Sequence, residues 1–395
     1  MKKILMICYK RPYPLKSGAE VRMFQYIEIL SEYYDVDVAY ISESKAEIDK
    51  LNDMCKNIIE FRRHDVTENI RAIWNYIFHG MPLQVGQLYY KKYDKWLRKN
   101  FQEYEYIICF HIKMASYIMK LSVIDKKGRI YFDGTDAITL QLYNSYKVNK
   151  GWKRIIYWIE YKRMLKYERK VYETISNTIL ISERDKSYII NEMNAVCNPA
   201  VIYNYAIDLG YKEDVNKESC TVTFMGKMDY LPNIKAVTYF IENIYERIKK
   251  EYNNVEFHII GGCVPEEICR YDGKDSIYVH GFVDDAASFL QKSTVVIAPM
   301  RSGAGLQNKI IQAMYLGCVV ITSEIGADGL VNLSGRELII YKNDQDFVNK
   351  LIAILGDTAI NDREYISKNA RNYIYKYYSY NVISEQIINM FGGNI

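Results

Sequence analysis

With 395 residues the chain exceeds what one ordinary hydrophobic core organises, and it suits two domains. Its 49% hydrophobic and 25% charged content is that of a globular protein and excludes the disordered and fibrous classes. A formal net charge of +4 is too small for the concentrated basic face that nucleic-acid binding calls for, so no nucleic-acid partner is expected.

The chain opens with Met1-Lys2-Lys3 and a short apolar run that stops at Lys10-Arg11-Pro12, far short of a secretory h-region. No stretch approaches about eighteen apolar residues, so a cytoplasmic chain without a membrane-spanning helix is expected. Short apolar, β-rich runs then alternate with longer amphipathic stretches, the pattern of α/β folds with parallel sheets. In the first half the predicted strands are KILMICY (3–9), VDVAYI (36–41), NIIEF (57–61), YIICF (106–110), RIYF (129–132) and TILIS (178–182). Helical spacing follows the first of them, at Val21, Phe24, Ile27 and Leu30. The second half starts the pattern afresh with TVTFMG (221–226), VEFHIIGG (255–262), SIYVHG (276–281), TVVIAP (294–299), CVVIT (318–322) and ELIIY (337–341). Two doubly wound, Rossmann-like domains are therefore predicted, with the break in the polar segment around 204–217. The tail 373–391 reads as helix with an interruption near 378–381. Neither half carries GxGxxG, which removes motif support for a dinucleotide cofactor. The eight cysteines are scattered without a CxxC, and the five histidines form no HxxxH or HExxH, so reduced thiols and no metal site are expected.

Chemistry concentrates between Ala298 and Gly317. There a strand ends at Pro299, a loop carries Gly303 and Gly305, and a helix begins. Small residues let the backbone approach a ligand, and free N–H groups at a helix start favour anions. Arg301 and Lys309 flank this loop, and a diphosphate is its natural guest; the alternative is a tight turn with solvated cations. Gly18, between the first strand and first helix, allows a similar backbone approach or is a plain turn glycine. His111 directly follows a strand, at the end that faces the ligand crevice in α/β sheets, or else only caps what comes next. Asp133 and Asp136 also follow a strand and suit acceptor hydroxyls or proton transfer, with helix capping as the plain alternative for Asp136. Residues 151–170 mix Trp152, Tyr157, Trp158 and Tyr161 with eight Lys or Arg. That mixture fits either a surface facing anionic lipid, giving peripheral contact with the inner membrane face, or a long helix packing an apolar stripe. The second is favoured because the stripe lacks a purely apolar membrane face.

The run from Arg301 to Met314, with Gly317-Cys-Val-Val-Ile-Thr after it, resembles the signature of family-four glycosyltransferases. It looks closest to the branch of exosortase-associated and other exopolysaccharide sugar transferases. The likeness extends in order along the chain: Arg11-Pro-Tyr-Pro with Ser17-Gly18, Asp133-Gly-Thr-Asp136, Tyr167-Glu168-Arg169, Ile181-Ser182-Glu183, Phe224 to Asn233, and Val279-His-Gly-Phe-Val283. It departs at Ala304 and Gln312, where typical members carry two glutamates, and at Pro232, where a second cation would follow Lys227.

The resemblance implies a GT-B fold, two Rossmann-like domains facing across a cleft. Residues 1–205 would form the acceptor side, with a helix from about 379 to 395 packing back on it, and 206–378 the nucleotide-sugar domain. It implies transfer of a sugar from a nucleoside diphosphate sugar to a glycan, lipid-linked or protein acceptor, with retention and without a cofactor. On the donor side it implies Gly18, Lys227, His280, Gly281, Phe282, Val283, Arg301, Gly303, Ala304, Gly305, Leu306, Lys309 and Gln312, the last toward the ribose. His111, Asp133 and Asp136 are the candidate catalytic, acceptor-side groups. A non-catalytic nucleotide-sugar or partner-binding protein and a nucleotide-sugar 2-epimerase are the rival classes.

Overall fold

The computed structural model describes residues 2–15, 17–42, 50–62, 74, 80–123, 125, 127–213, 215, 218, 220–302 and 305–392. The chain divides into two compact units, one of residues 1–204 with 384–395 and one of residues 205–383.

In the first unit seven parallel strands lie in the order β3-β2-β1-β4-β5-β6-β7. They are β1 Lys3–Cys8, β2 Asp35–Ser42, β3 Asn57–Arg62, β4 Tyr106–Phe110, β5 Ile130–Thr135, β6 Asn177–Leu180 and β7 Ala200–Val201. Continuous apolar runs are what a parallel sheet covered on both faces requires, and Ile4 to Cys8 of β1 are fully buried. Among the described residues the helices of eight residues or more in this part are α1 Gly18–Ser31, α2 Lys91–Asn100, α3 Ala115–Ser122, α4 Ile138–Val148 and α5 Gly151–Thr174. The two-residue β7 has no counterpart among the predicted strands, because it is too short to leave a pattern.

The second unit holds six parallel strands in the order β10-β9-β8-β11-β12-β13. These are β8 Thr221–Met225, β9 Glu256–Ile260, β10 Ile277–Gly281, β11 Val295–Ala298, β12 Val320–Ser323 and β13 Ile339–Tyr341. Its longer helices are α6 Leu231–Phe240, α7 Asn308–Tyr315, α8 Asp344–Leu355 and α9 Ile360–Tyr377; α10, Tyr380–Met390, follows α9 after a two-residue break. The last residues return to the first unit, where Phe391 packs on Tyr106 and Tyr131 and accepts a hydrogen bond from the Tyr34 hydroxyl at 3.2 Å. No helix of the described residues is long and apolar enough to cross a membrane.

Each sheet has a strand from which the winding turns in opposite directions: β1 between β2 and β4, and β8 between β9 and β11. Beyond the carboxyl ends of such strands the flanking loops part and leave a crevice for ligands. The residues after β1, β4, β8 and β11 flank these crevices, and those after β5 and β10 lie at the same carboxyl edges of their sheets.

Candidate active site

In the second unit the β8 and β11 loops meet over Lys309, in the first turn of α7. Its ammonium reaches the Asn233 side-chain oxygen, lies 3.5 Å from the Met300 sulfur and sits 4.7 Å from the Phe224 ring centroid. Burial among these groups pulls its pKa down to about 7. Asn233 in turn donates to the Lys227 carbonyl at 2.8 Å, so one side chain ties the β8 loop to α7. The Lys227 ammonium pairs with Asp229 at 2.8 Å and is half exposed. Arg301 is exposed, its guanidinium 4.2 Å over the Tyr239 ring. Three cations thus border the β8/β11 crevice.

The neighbouring loops are stitched by backbone. Gly226 donates to Ile260 at 3.0 Å, Met228 to Gly262 at 2.9 Å and Gly261 to Gly281 at 2.7 Å. A Cβ at Gly261 would overlap the Gly226 carbonyl, and its φ of 141° lies outside the range of L side chains. This clasp brings β10's end, with His280, Gly281, Phe282 and Val283, to the same edge. Phe282 is 78% exposed. His280 contacts His258 through ring nitrogens 2.9 Å apart, and burial followed by the charge of His258 lowers its pKa. Gly305 has a φ of 73°, and Leu306 beside it is buried. Gly303 and Ala304 lie outside the described residues. The helix of this segment starts at Asn308, after the glycines, with no side-chain cap; its Ile310 and Ile311 N–H groups donate to the Gln307 carbonyl at 2.9 and 3.3 Å.

Gln312 departs from its expected role. Its amide donates to the Ile207 carbonyl at 2.6 Å and accepts from the Ile207 N–H at 3.2 Å. Both ends are thus engaged in pinning the start of the second unit, which leaves one amide N–H and one oxygen lone pair for a ribose.

In the first unit His111 has a φ of 72° and a ring half-buried against Tyr9, centroids 4.8 Å apart. Its Nδ1 accepts the Lys113 N–H at 3.3 Å, which leaves the proton of the neutral ring on Nε2. Burial, with Lys113 and Lys10 adding, holds its pKa well below the usual histidine value. Asp136 is half-buried, and its pKa is raised to about 7 by burial and by Asp185, against the opposing Arg22. Its carboxylate accepts from Gln141 at 3.3 Å. Capping of the following helix falls to others: buried Glu168 takes the Ile138 and Thr139 N–H groups at 3.0 and 2.8 Å, and Asp185 takes that of Ala137 at 3.0 Å.

Asp133 differs from the expectation of an acceptor ligand. It is fully buried, paired with Arg22 at 2.7 Å and accepting the Thr135 N–H at 2.9 Å. Arg22 continues to the Ile202 carbonyl at 2.8 Å and Asn204 at 3.1 Å, so the pair braces the frame behind His111 and Asp136. Gly18 begins α1 beside Ser17, whose hydroxyl turns to Glu20; Glu20 also pairs with Lys10 at 2.6 Å.

Sequence reasoning missed Arg22, Asn233 and Asp185. Asn233 and Glu168 lay inside segments already singled out, but a polar residue's distant partner leaves no local pattern. An arginine within the buried stripe of α1 was the one available signal for Arg22.

The glycosyl transferases group 1 family matches residues 219–357. A 44.6 kDa protein in the cps region of Klebsiella pneumoniae is 25% identical over 371 residues, covering 89% of this chain and 90% of that relative. Sucrose-phosphate synthase from Thermosynechococcus elongatus superposes with a TM-score of 0.73 at 15% identity, over 99% of this chain and 98% of that one. Anabaena HepE, solved in complex with UDP and glucose, gives 0.69 at 16% identity, over 99% and 100%. The two parallel sheets and these likenesses establish the GT-B fold. Residues 219–357 match the glycosyl transferases group 1 domain, and with the likeness along nearly the whole chain this marks the protein as a glycosyltransferase.

Proposed function

We propose that this enzyme moves a hexosyl group from a nucleoside diphosphate sugar to an acceptor hydroxyl, with retention, in glycan or exopolysaccharide assembly. The observation that carries the donor reading is Lys309, half-buried at the β8/β11 crevice with Lys227 and Arg301 at its border. A desolvated amine near neutrality gains its proton, and its full attraction, when a diphosphate arrives beside it. As the bond from the sugar's C1 to the phosphate oxygen breaks, charge grows on the leaving diphosphate. The three cations and the positive end of the α7 dipole stabilise that charge in place, and the reading calls on no resident cofactor. A new bond forms from C1 to the acceptor oxygen, and the hydroxyl's proton must depart. In the first unit Asp136 has the pKa of a general base at pH 7, and His111 offers Nε2–H as a donor to a sugar hydroxyl. HepE was solved with UDP, which makes uridine nucleotides the first donors to try. The cps-region relative favours a polysaccharide or its lipid-linked precursor as acceptor.

A donor panel, screened by thermal shift and followed by mass spectrometry of the products, tests the reading. Free nucleotide with a glycosylated product supports it. An epimerised donor, or binding without turnover under every acceptor tried, contradicts it.

A further inference from the structure

The expectation for residues 151–170, an apolar stripe packed in the domain, holds only for the second half of α5. There Glu160, Met164, Glu168, Val171 and Tyr172 are buried. The first two turns stand in solvent: Trp152 is 67%, Ile155 60%, Ile156 49% and Trp158 46% exposed. Trp152, Ile155, Ile156 and Ile159 fall at the i, i+3, i+4, i+7 spacing of a single helix face. Val148, the last residue of α4, adds to the tip at 62% exposure. A contiguous apolar tip of this kind is rare on a soluble surface without a partner.

The hairpin's position is fixed by its own contacts. Glu168 binds the N–H groups of Ile138 and Thr139, so that point of α5 is level with the start of α4, just past the end of β5. Tyr143 and Tyr161, and then Tyr146 and Arg154, pair further out. The tip therefore projects roughly 15–25 Å beyond that level at 1.5 Å per residue. It does so on the sheet end that carries His111 and Asp136.

Its charge is one-sided. Between Asp136 and Glu160 there is no Asp or Glu, while Lys147, Lys150, Lys153 and Arg154 are present. This segment alone holds a charge equal to the +4 of the whole chain. A two-fold pairing of copies through the tip would set these cations against themselves, because such an interface is self-complementary. Indole and aliphatic side chains flanked by cations match instead the headgroup zone of an anionic bilayer.

We propose that the α4–α5 hairpin tip is a peripheral membrane anchor. It inserts Trp152, Ile155, Ile156 and Trp158 at the surface of an anionic lipid bilayer, with the four cations against the headgroups. The anchor sets the sheet end bearing His111 and Asp136 toward the lipid, where a lipid-linked acceptor would lie. Binding is read without any sugar donor, so the result stands apart from the transferase reading.

The test is co-sedimentation of the full chain with vesicles of phosphatidylglycerol or of phosphatidylcholine, with tryptophan emission recorded. The expected result is association with the anionic vesicles about tenfold or more above the neutral ones, weakened by salt and accompanied by a blue shift. Trp152→Ser with Ile155→Ser and Ile156→Ser abolishes it. Lys147→Gln, Lys150→Gln, Lys153→Gln and Arg154→Gln together lower it by about fivefold per cation. These side chains are exposed, and circular dichroism checks that both variants keep the fold. No preference for anionic vesicles, undiminished binding in both variants, or a dimer in analytical ultracentrifugation that the apolar substitutions dissolve would overturn the proposal.

Discussion

Raising the pH above neutrality should weaken donor binding through Lys309. Burial brings this amine to about 7 in the free protein, whereas an ammonium beside a diphosphate is held charged. The two phosphates of a nucleoside diphosphate sugar are fully ionised well below neutrality, so the ligand itself does not titrate in this range. Binding above pH 7 then takes up a proton on Lys309. The free amine is about half protonated at pH 7 and about 3% protonated at pH 8.5, so donor affinity falls about 15-fold between them, or ~1.6 kcal/mol. His280, already shifted below the usual histidine value, stays neutral throughout. Isothermal titration in two buffers of different ionisation enthalpy measures the uptake directly, and close to one proton per donor is expected at pH 8. Lys309→Met should lose both the uptake and most of the affinity. A flat affinity from pH 7 to 8.5 with no proton uptake would refute the reasoning and move the diphosphate away from Lys309.

Transfer rate at saturating donor should rise with pH through about 7, because Asp136 acts as a carboxylate and burial with Asp185 raises its pKa to about that value. Asp136→Asn should remove this limb and lower the rate on the order of 10²–10⁴-fold; an unchanged profile would return Asp136 to a structural role. Asp133→Ala strands the buried Arg22 guanidinium and should cost about 3–5 kcal/mol in denaturant unfolding, whereas a stable variant with impaired turnover would contradict its bracing role. Gln312→Ala should lose about 1–2 kcal/mol of stability from its two bonds to Ile207 and leave donor affinity within about twofold. A folded variant with donor affinity down about tenfold would show that the amide does turn to the ribose.

The fold was readable because parallel strands covered on both faces must be continuous apolar runs. YIICF appears as β4 with the same ends, and SIYVHG and TVVIAP shift by a residue or two at their turns. The doubly wound topology followed from strands alternating with helices. The glycines around Met300–Lys309 and the cations among them were equally legible, since loop, small residues and charge are local. The side-chain pairings were not. Asp133 and Asp136 look alike in Asp-Gly-Thr-Asp, yet Arg22, 111 positions away, buries one while the other stays half exposed. Gln312 fell where a ribose ligand was expected, but Ile207 claims it across 105 positions. The apolar stripe of α5 was visible as a pattern; that α4 would carry its first turns out into solvent depended on where Glu168 fastens the hairpin.

The account rests most directly on donor capture by the cations of the β8/β11 crevice. The decisive measurement is calorimetric titration of the full chain with nucleoside diphosphate sugars, repeated on the folded double variant Arg301→Ala with Lys309→Met. At least one donor should bind the native chain. The variant should lose about 1.5–3 kcal/mol for each charge-assisted contact removed. Equal affinity in the two proteins would contradict the claim.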